Sequence, residues 1–492
     1  MTAPDRPVIV WFGRDLRLSD HPALTAAVAT SQPILAVYVL DESGTRTRPL
    51  GGASRWWLDK SLQHLAESLA RLGALLVLRR GDPVEVLAAL VRETAATTVF
   101  ASRDHRPDGA SLQQAVSERL AGSGVKLRRF AGAVLFEPEA VATGSGGPFR
   151  VFTPFWRACL SRAAPPEPLP APRALVPYHG PVESERLRDW GLHPSRPDWS
   201  AGLATAWHVG EAAAQDALTR FLSQGVAAYA EGRDRPDHVG TSRLSPHLAF
   251  GEISARQCWH AARHAADADP RLERGASSFL RELGWREFSA HLLHHFPHLP
   301  SAPFKPDFAT FPWRQDDAAL ARWQRGATGY PLIDAGLREL WQTGWMHNRV
   351  RMVVASFLVK HLLIPWQAGE AWFWDTLVDA DLANNVCGWQ WVAGCGADAA
   401  PYFRIFNPIM QGRKFDPDGA YVRRWLPELA RLPTDVLHAP WEASAATRAD
   451  AGLAPGSGTY PEPIVAHAAA RERALAALRQ KNDTSGEFSQ SG

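Results

Sequence analysis

Four short segments of this 492-residue chain hold more chemistry-bearing side chains than packing requires. In GWMHNRVRM (344–352), Trp345, Asn348, Arg349 and Met352 fall at i, i+3, i+4 and i+7, so a helix would present them on one face. Val350, Val353, Val354, Phe357 and Leu358 supply the apolar stripe of the same helix. In FLRELGWREF (279–288), Glu282, Trp285 and Arg286 are helical neighbours. In DADLANNVCGWQW (379–391), Asp379 and Asp381 precede Asn384 and Asn385, and Trp389 and Trp391 close the segment. Buried polar groups need partners, so acids, amides and indoles set this close suit a ligand rich in donors and acceptors. GTSRLSPHL (240–248) places Thr241, Ser242, Ser245 and Arg243 ahead of a helical pattern, an arrangement suited to phosphate. Taken singly, each segment also has a plainer account. Trp345 can pack, Asn348 can close a loop, and Glu282 with Arg286 can form a surface pair worth a few tenths of a kcal/mol.

The elements that must position these residues divide into two styles. Over the first 135 residues, VIVWF (8–12), ILAVYVL (34–40), ALLVLR (74–79) and TTVFAS (97–102) are compact β-branched runs of the kind buried parallel strands need. Helical patterns separate them, and one opens with Asp82 at the N-cap and Pro83 after it. The alternation predicts a doubly wound parallel sheet, α/β in class, whose ligand site would lie beyond the strand ends near WFGRDLRLSD (11–20). Neither a G-x-G-x-x-G nor a Walker loop is present to support a dinucleotide or nucleoside triphosphate there. Residues 136–204 include AAPPEPLPAPRALVPYHGP, whose prolines predict a long interdomain connector. From 205 to 480 the periodicity is helical, and 481–492, KNDTSGEFSQSG, reads as a disordered tail.

Composition narrows the function classes. The charge is +2, from 53 Lys+Arg against 51 Asp+Glu, which excludes a polycation but leaves room for a local basic patch. The four cysteines form no C-x-x-C pair, so neither a disulfide framework nor a zinc site of the usual spacing is expected. HLLHHFPH (291–298) places His291 and His295 on one face without H-E-x-x-H, and reads as a helix end stopped by Pro297; no metal is expected. The amino terminus lacks the pattern of a secretory signal, and no apolar run is long and uncharged enough to span a membrane, which predicts a soluble cytoplasmic protein. Tryptophan is the excess: 13 of 20 lie between residues 251 and 450, the region that also carries three of the four segments.

Taken together and in order, these segments resemble the DNA photolyase/cryptochrome family over nearly the whole chain. The resemblance runs from WFGRDLRLSDHPAL through VFTPFWRA, TSRLS, ELGWREF, TGYPLIDAGLRELWQTGWMHNRVRM and DLANNVCGWQW to FRIFNP and KFDPDGAYVRRWLPEL. It is closest to bacterial class I cyclobutane pyrimidine dimer photolyases. It implies an α/β antenna domain, a helical domain holding FAD, and a monomeric enzyme that repairs UV-damaged DNA irrespective of sequence.

By the same resemblance, Tyr229, Thr241, Ser242, Arg243, Leu244 and Ser245 match the residues around the FAD phosphates. Arg286 and Asn348 match cofactor contacts, Arg351 is implied to pair with Asp379, and Asp381 to accept from the flavin ring. Asn385 matches the amide facing flavin N5, where it tunes the cofactor's electronics. Trp389, Trp366 and Trp313 match the indole chain leading from flavin to surface. Trp285 and Trp391 match the walls of the dimer pocket, and Glu282 its carboxylate. Met352 matches the methionine typical of cyclobutane dimer repair, where enzymes acting on the (6-4) photoproduct typically carry histidine. Arg233, Arg349, Arg404 and Lys414 match phosphate contacts, which position a duplex without reading its sequence. Flipping a dimer out is eased because it stacks and pairs poorly.

Two departures limit the resemblance. Members with a folate antenna usually carry an Asn-Glu pair after the fourth strand, where this chain has Asp108 and Gly109. A deazaflavin, a folate held differently, or no antenna all stay open. In DLANNVCGW, Val386 and Cys387 replace the second Asn and first Gly of the commoner DLAANNGGW, and a packing role for Cys387 is the simpler account. The alternative function is a cryptochrome-like FAD light sensor without repair. A third, an electron-transfer or nucleotide-binding α/β protein, leaves the helical half unexplained.

Overall fold

The computed structural model describes residues 6–399, 403–453 and 458–489. Contacts divide the chain into two compact units, Met1–Ala227 with Ser242–Pro297 and Val378–Ala383, and Ala228–Thr241 with His298–Leu377 and Asn384–Gly492. This division cuts elsewhere than the boundaries at 135 and 204 that composition marks.

The first unit is built on five parallel strands: β1 (Val8–Phe12), β2 (Ile34–Leu40), β3 (Leu76–Arg80), β4 (Thr98–Ser102) and β5 (Lys126–Phe130). Their spatial order is β3-β2-β1-β4-β5, so the order reverses at β1, whose residues are all buried. The expected α/β architecture is present. The fifth strand, KLRRF, lacks the apolar run that marks the other four because it is a largely exposed edge; Arg128 lies over the rings of Phe100 and Phe130.

The proline-rich stretch is not a free linker. The Ile34 N–H donates to the Val176 carbonyl at 2.7 Å, the Tyr178 N–H to Ile34 at 3.1 Å, and the Arg80 N–H to Glu185 at 2.8 Å. The connector expected over 136–204 also contains a regular helix, Phe152–Leu160. These bonds fasten the stretch along β2 and β3, which explains why contacts assign it to the sheet unit.

The segment after β1 is a brace whose charged groups face each other and the backbone. Asp15 accepts from the Gly13 N–H at 2.7 Å and meets His21 Nε2 at 3.0 Å. Burial alone would raise the Asp15 pKa, but His21 holds it well below the usual carboxylate range. Asp20, fully buried, takes Arg256 at 2.6 Å and Ser254 at 2.5 Å, while Arg17 donates to the carbonyls of Gly251 and Asp20. A ligand expected at Asp20 or Arg17 would have to displace these contacts.

The second unit is helical and corrects two expectations. Trp345 does not share a helix with Asn348, Arg349 and Met352. Pro331–Thr343 ends at Gly344, whose φ of 66° is the left-handed conformation a glycine supplies, and Asn348–Ser356 starts afresh behind His347. His347 caps it by accepting the Arg349 N–H on Nδ1 at 3.2 Å. Trp345 therefore precedes the helix that carries Asn348, Arg349 and Met352. At the other end, the helix His467–Ser489 continues through most of the segment expected to be a disordered tail. Lys481 anchors it, pairing with Asp307 with its ammonium over Phe308 at 4.8 Å; residues 490–492 lie outside the described residues. Among the described residues, no helix is long and apolar enough to cross a membrane.

Candidate functional site

In the first unit, the helix Glu273–His295 carries Glu282, Trp285 and Arg286 as the i, i+3, i+4 spacing requires. Trp285 stacks on Phe152 with ring centroids 3.7 Å apart and planes 8° apart, and Phe288 meets it edge-on at 6.0 Å. One indole face is thus fixed, while the residue stays partly exposed, as does Glu282. Arg286 donates to Glu287 at 3.0 Å and to the Ala133 carbonyl at 3.2 Å. Glu287 also accepts the Leu135 N–H at 2.6 Å, and its burial pushes its pKa up. The TSRLS segment holds a strained residue: Arg243 has a φ of 52° and its guanidinium sits 4.4 Å from the Trp207 ring. Ser242 Oγ accepts the Leu244 N–H at 3.4 Å, Leu244 is buried, and Ser245 opens a helix of six residues. Asp379 is buried and Asp381 half-buried; the charge of Asp381 raises the pKa of Arg14, against the larger effect of burial, which lowers it.

In the second unit, the Asn385 amide is oriented. Its NH2 group donates to the Glu370 carboxylate at 2.8 Å and to the Glu370 carbonyl at 3.0 Å, and Oδ1 accepts no hydrogen bond among the described residues. Nothing in the sequence marks Glu370 for this task. Trp389 and Trp366 are buried, and Trp313 is partly exposed against Phe311 at 4.4 Å. A Cβ on Gly369 would fall 2.0 Å from the Trp389 ring, so the absence of a side chain there lets the indole lie on the helix that begins at Trp366. Trp391 donates to the Asp398 carbonyl at 3.1 Å, Arg351 to the Met346 carbonyl at 2.7 Å. Tyr229 is buried with Arg233 over its ring at 5.8 Å, Thr241 is half-buried, and Asn348 is exposed.

Three of the four expected phosphate contacts meet in one polar groove of about 560 Å³, lined by Arg349, Arg404 and Lys414 with Arg235, Gln411 and Phe415. Arg349 is held by Asp234 at 2.8 Å, lies over Phe415 at 4.5 Å, and places Nη1 3.8 Å from the Met352 sulfur. Arg233 does not line this groove. Arg235 is the basic residue that motif reading passed over, although it stands two places from Arg233.

Two family models match the chain: the DNA photolyase model over residues 8–173 and the FAD binding domain of DNA photolyase over 279–480. The deoxyribodipyrimidine photo-lyase of Agrobacterium fabrum is 50% identical, with 97% of this chain and 98% of that protein covered. Cryptochrome-1 of Arabidopsis thaliana is 41% identical over 96% of this chain and 70% of its own length. A crystal structure of a bacterial class III photolyase from Agrobacterium tumefaciens superposes with a TM-score of 0.94 at 48% identity, covering 98% and 99% of the two chains. The fold and these matches define a flavoprotein built from an α/β sheet unit and a helical FAD-binding unit. The chain belongs to the DNA photolyase/cryptochrome family, as an enzyme of the deoxyribodipyrimidine photo-lyase type acting in light-driven DNA repair. The motifs point to class I, whereas a relative this similar is described as class III.

The residues present fit a flavin. Within the matched FAD-binding segment, His347 Nε2 and Trp389 Nε1 are buried donors with no protein partner among the described residues, and Asn385 Oδ1 is a bare acceptor. Because His347 Nδ1 already accepts, its proton resides on Nε2. An isoalloxazine offers both donors and acceptors to such a set. Burial depresses the His347 pKa to about 4, so the ring stays neutral at physiological pH.

Proposed function

We propose that this protein splits cyclobutane pyrimidine dimers in DNA under blue light. FAD, when bound and reduced, supplies the photoexcited electron that opens the cyclobutane ring, and its return leaves no net redox change. The chain's own residues do the rest. Arg349, Arg404 and Lys414, with Arg233, grip backbone phosphates and so bind damaged DNA independently of sequence. Trp285 and Trp391 offer flat apolar walls to the flipped dimer, and Glu282 hydrogen-bonds its base edges. Met352 provides an apolar contact without a transferable proton, which favours the cyclobutane dimer over the (6-4) photoproduct.

The cofactor's ligands are assigned to Tyr229, Thr241, Ser242, Arg243, Leu244, Ser245, Arg286, Asn348, Arg351, Asp379 and Asp381. Asn385, held through its NH2 group by Glu370, would present Oδ1 as an acceptor. Trp389, Trp366 and Trp313 form the relay that delivers electrons inward from the surface. A second chromophore of folate or deazaflavin type belongs with the α/β unit, and the protein works as a cytoplasmic monomer.

The observation that carries the reading is the groove in which Arg349 joins Arg235, Arg404 and Lys414 while its guanidinium touches Met352. The test is Glu282→Ala: repair yield per absorbed photon should fall while FAD content is unchanged. Undiminished yield would remove Glu282 from the dimer. The plant cryptochrome likeness favours a second reading, a light sensor without repair. A sensor would bind dimer-containing and intact oligonucleotides equally, whereas the repair enzyme prefers the damaged one.

A further inference from the structure

The histidine run at the end of the helix Glu273–His295 takes part in a cluster that spacing alone conceals. His291 and His295, the pair on one face, are both engaged: His291 Nε2 accepts the Phe149 N–H at 3.0 Å, and His295 Nε2 donates to the Pro138 carbonyl at 3.2 Å. The histidine between them is different. His294 Nε2 lies 3.7 Å from Glu139 Oε1, on the short turn Pro138–Ala140. His105, in the loop after β4, meets the same place. One ligand atom each from His105, Glu139 and His294 all lie within 4.8 Å of one another.

The His105 side chain is only 6% exposed, and its Nε2 makes no aligned hydrogen bond even though Glu137 Oε2 is 3.2 Å away. The 3.7 Å between His294 Nε2 and Glu139 Oε1 is close to the roughly 3.3 Å expected between neighbouring ligand atoms around zinc, given metal–ligand distances of about 2.0–2.1 Å. Two imidazoles with carboxylate oxygen select a borderline transition metal over calcium or magnesium. All four residues belong to the sheet unit.

We propose that His105, Glu139 and His294 form a divalent transition-metal site of the zinc type, with the Glu137 carboxylate as adjacent negative charge. Such an ion would clip the loop after β4 and the turn at Pro138 to the carboxyl end of the helix bearing Glu282, Trp285 and Arg286. Glu137 is already tied to Arg103 at 2.7 Å, which holds that carboxylate in place beside the ion.

The test uses full-length, FAD-loaded protein stripped with chelator and dialysed against zinc chloride, with zinc content and thermal unfolding measured. The protein should retain one more zinc per chain than His294→Gln, and zinc should raise its unfolding temperature by mass action while leaving the variant unmoved. Glu139 is largely exposed, so Glu139→Gln should fold normally and still lose about tenfold or more in zinc affinity. Glu167, His260 and His264 form the other such group among the described residues, and His264→Ala serves as the control that keeps this zinc. Equal zinc retention in wild type, His294→Gln and Glu139→Gln, or a loss confined to His264→Ala, would overturn the proposal. Absence of zinc binding by the wild type would do the same.

Discussion

Two buried polar networks, one in each compact unit, are finished to different degrees. Around Asp20 in the sheet unit both carboxylate oxygens are used, by Arg256, Ser254 and the Leu169 N–H. At Asn385 and His347 in the helical unit, the polar group is held at one end and left bare at the other. Asn385 is fixed through its NH2 with Oδ1 unused, and His347 accepts on Nδ1 with Nε2 unmatched. A closed network is a scaffold, since unpaired buried charge is costly. A half-satisfied one inside the segment matched to FAD binding is oriented toward a ligand still to be bound.

The contrast can be broken by substitutions whose effects differ in kind. Asp20→Asn keeps a residue tolerant of the left-handed φ of 48° and removes only the charge facing Arg256. Denaturant unfolding should show a loss of about 3–5 kcal/mol, the usual consequence of stranding one member of a buried pair. A loss comparable to a surface change would mean the brace is not closed. Gly369→Ala tests the helical unit's indole relay. The added methyl meets the Trp389 ring, so stability should fall by about 1–3 kcal/mol and photoreduction of oxidised flavin should slow. Unchanged photoreduction would separate Trp389 from the relay.

Acid should also distinguish an open network. His347 titrates near 6.5 in the unfolded chain and at about 4 in the folded one. As pH falls below 6.5, the unfolded chain takes up a proton that the folded chain refuses, so stability present at neutral pH is lost. At pH 5 this one residue should cost about 2 kcal/mol in apo-protein, and His347→Gln should flatten that part of the pH–stability curve. An identical curve for the variant would contradict the assigned protonation state. The smallest effect on stability belongs to Lys414→Ala, an exposed groove residue, expected within about 0.5 kcal/mol. DNA affinity should nevertheless drop, and the slope of log K against log salt should shrink by about 1. Trp313→Phe should slow photoreduction while leaving repair by chemically reduced enzyme nearly unchanged.

The strands with β-branched runs were legible because a buried parallel strand needs such runs, and Asp82 with Pro83 marked a helix start that the structure bears out. β5 was illegible because an exposed edge needs no apolar run. The break at Gly344 was hidden by continuous periodicity on both sides of it. WFGRDLRLSD looked like a ligand loop because its charges find partners at Gly251, Ser254 and Arg256, more than 230 residues away in sequence. The partners that shape the site, Glu370 for Asn385, Phe152 for Trp285 and Asp234 for Arg349, stand on other elements and carry no local signal. Residue types were readable along the chain, and their orientation was not.

The central claim is tested most directly by irradiating purified, flavin-reduced protein with blue light in the presence of an oligonucleotide carrying one thymine cyclobutane dimer. The account predicts that the two thymines are restored under light and that nothing happens in the dark. An unaltered dimer after illumination, with FAD bound and reduced, would contradict it.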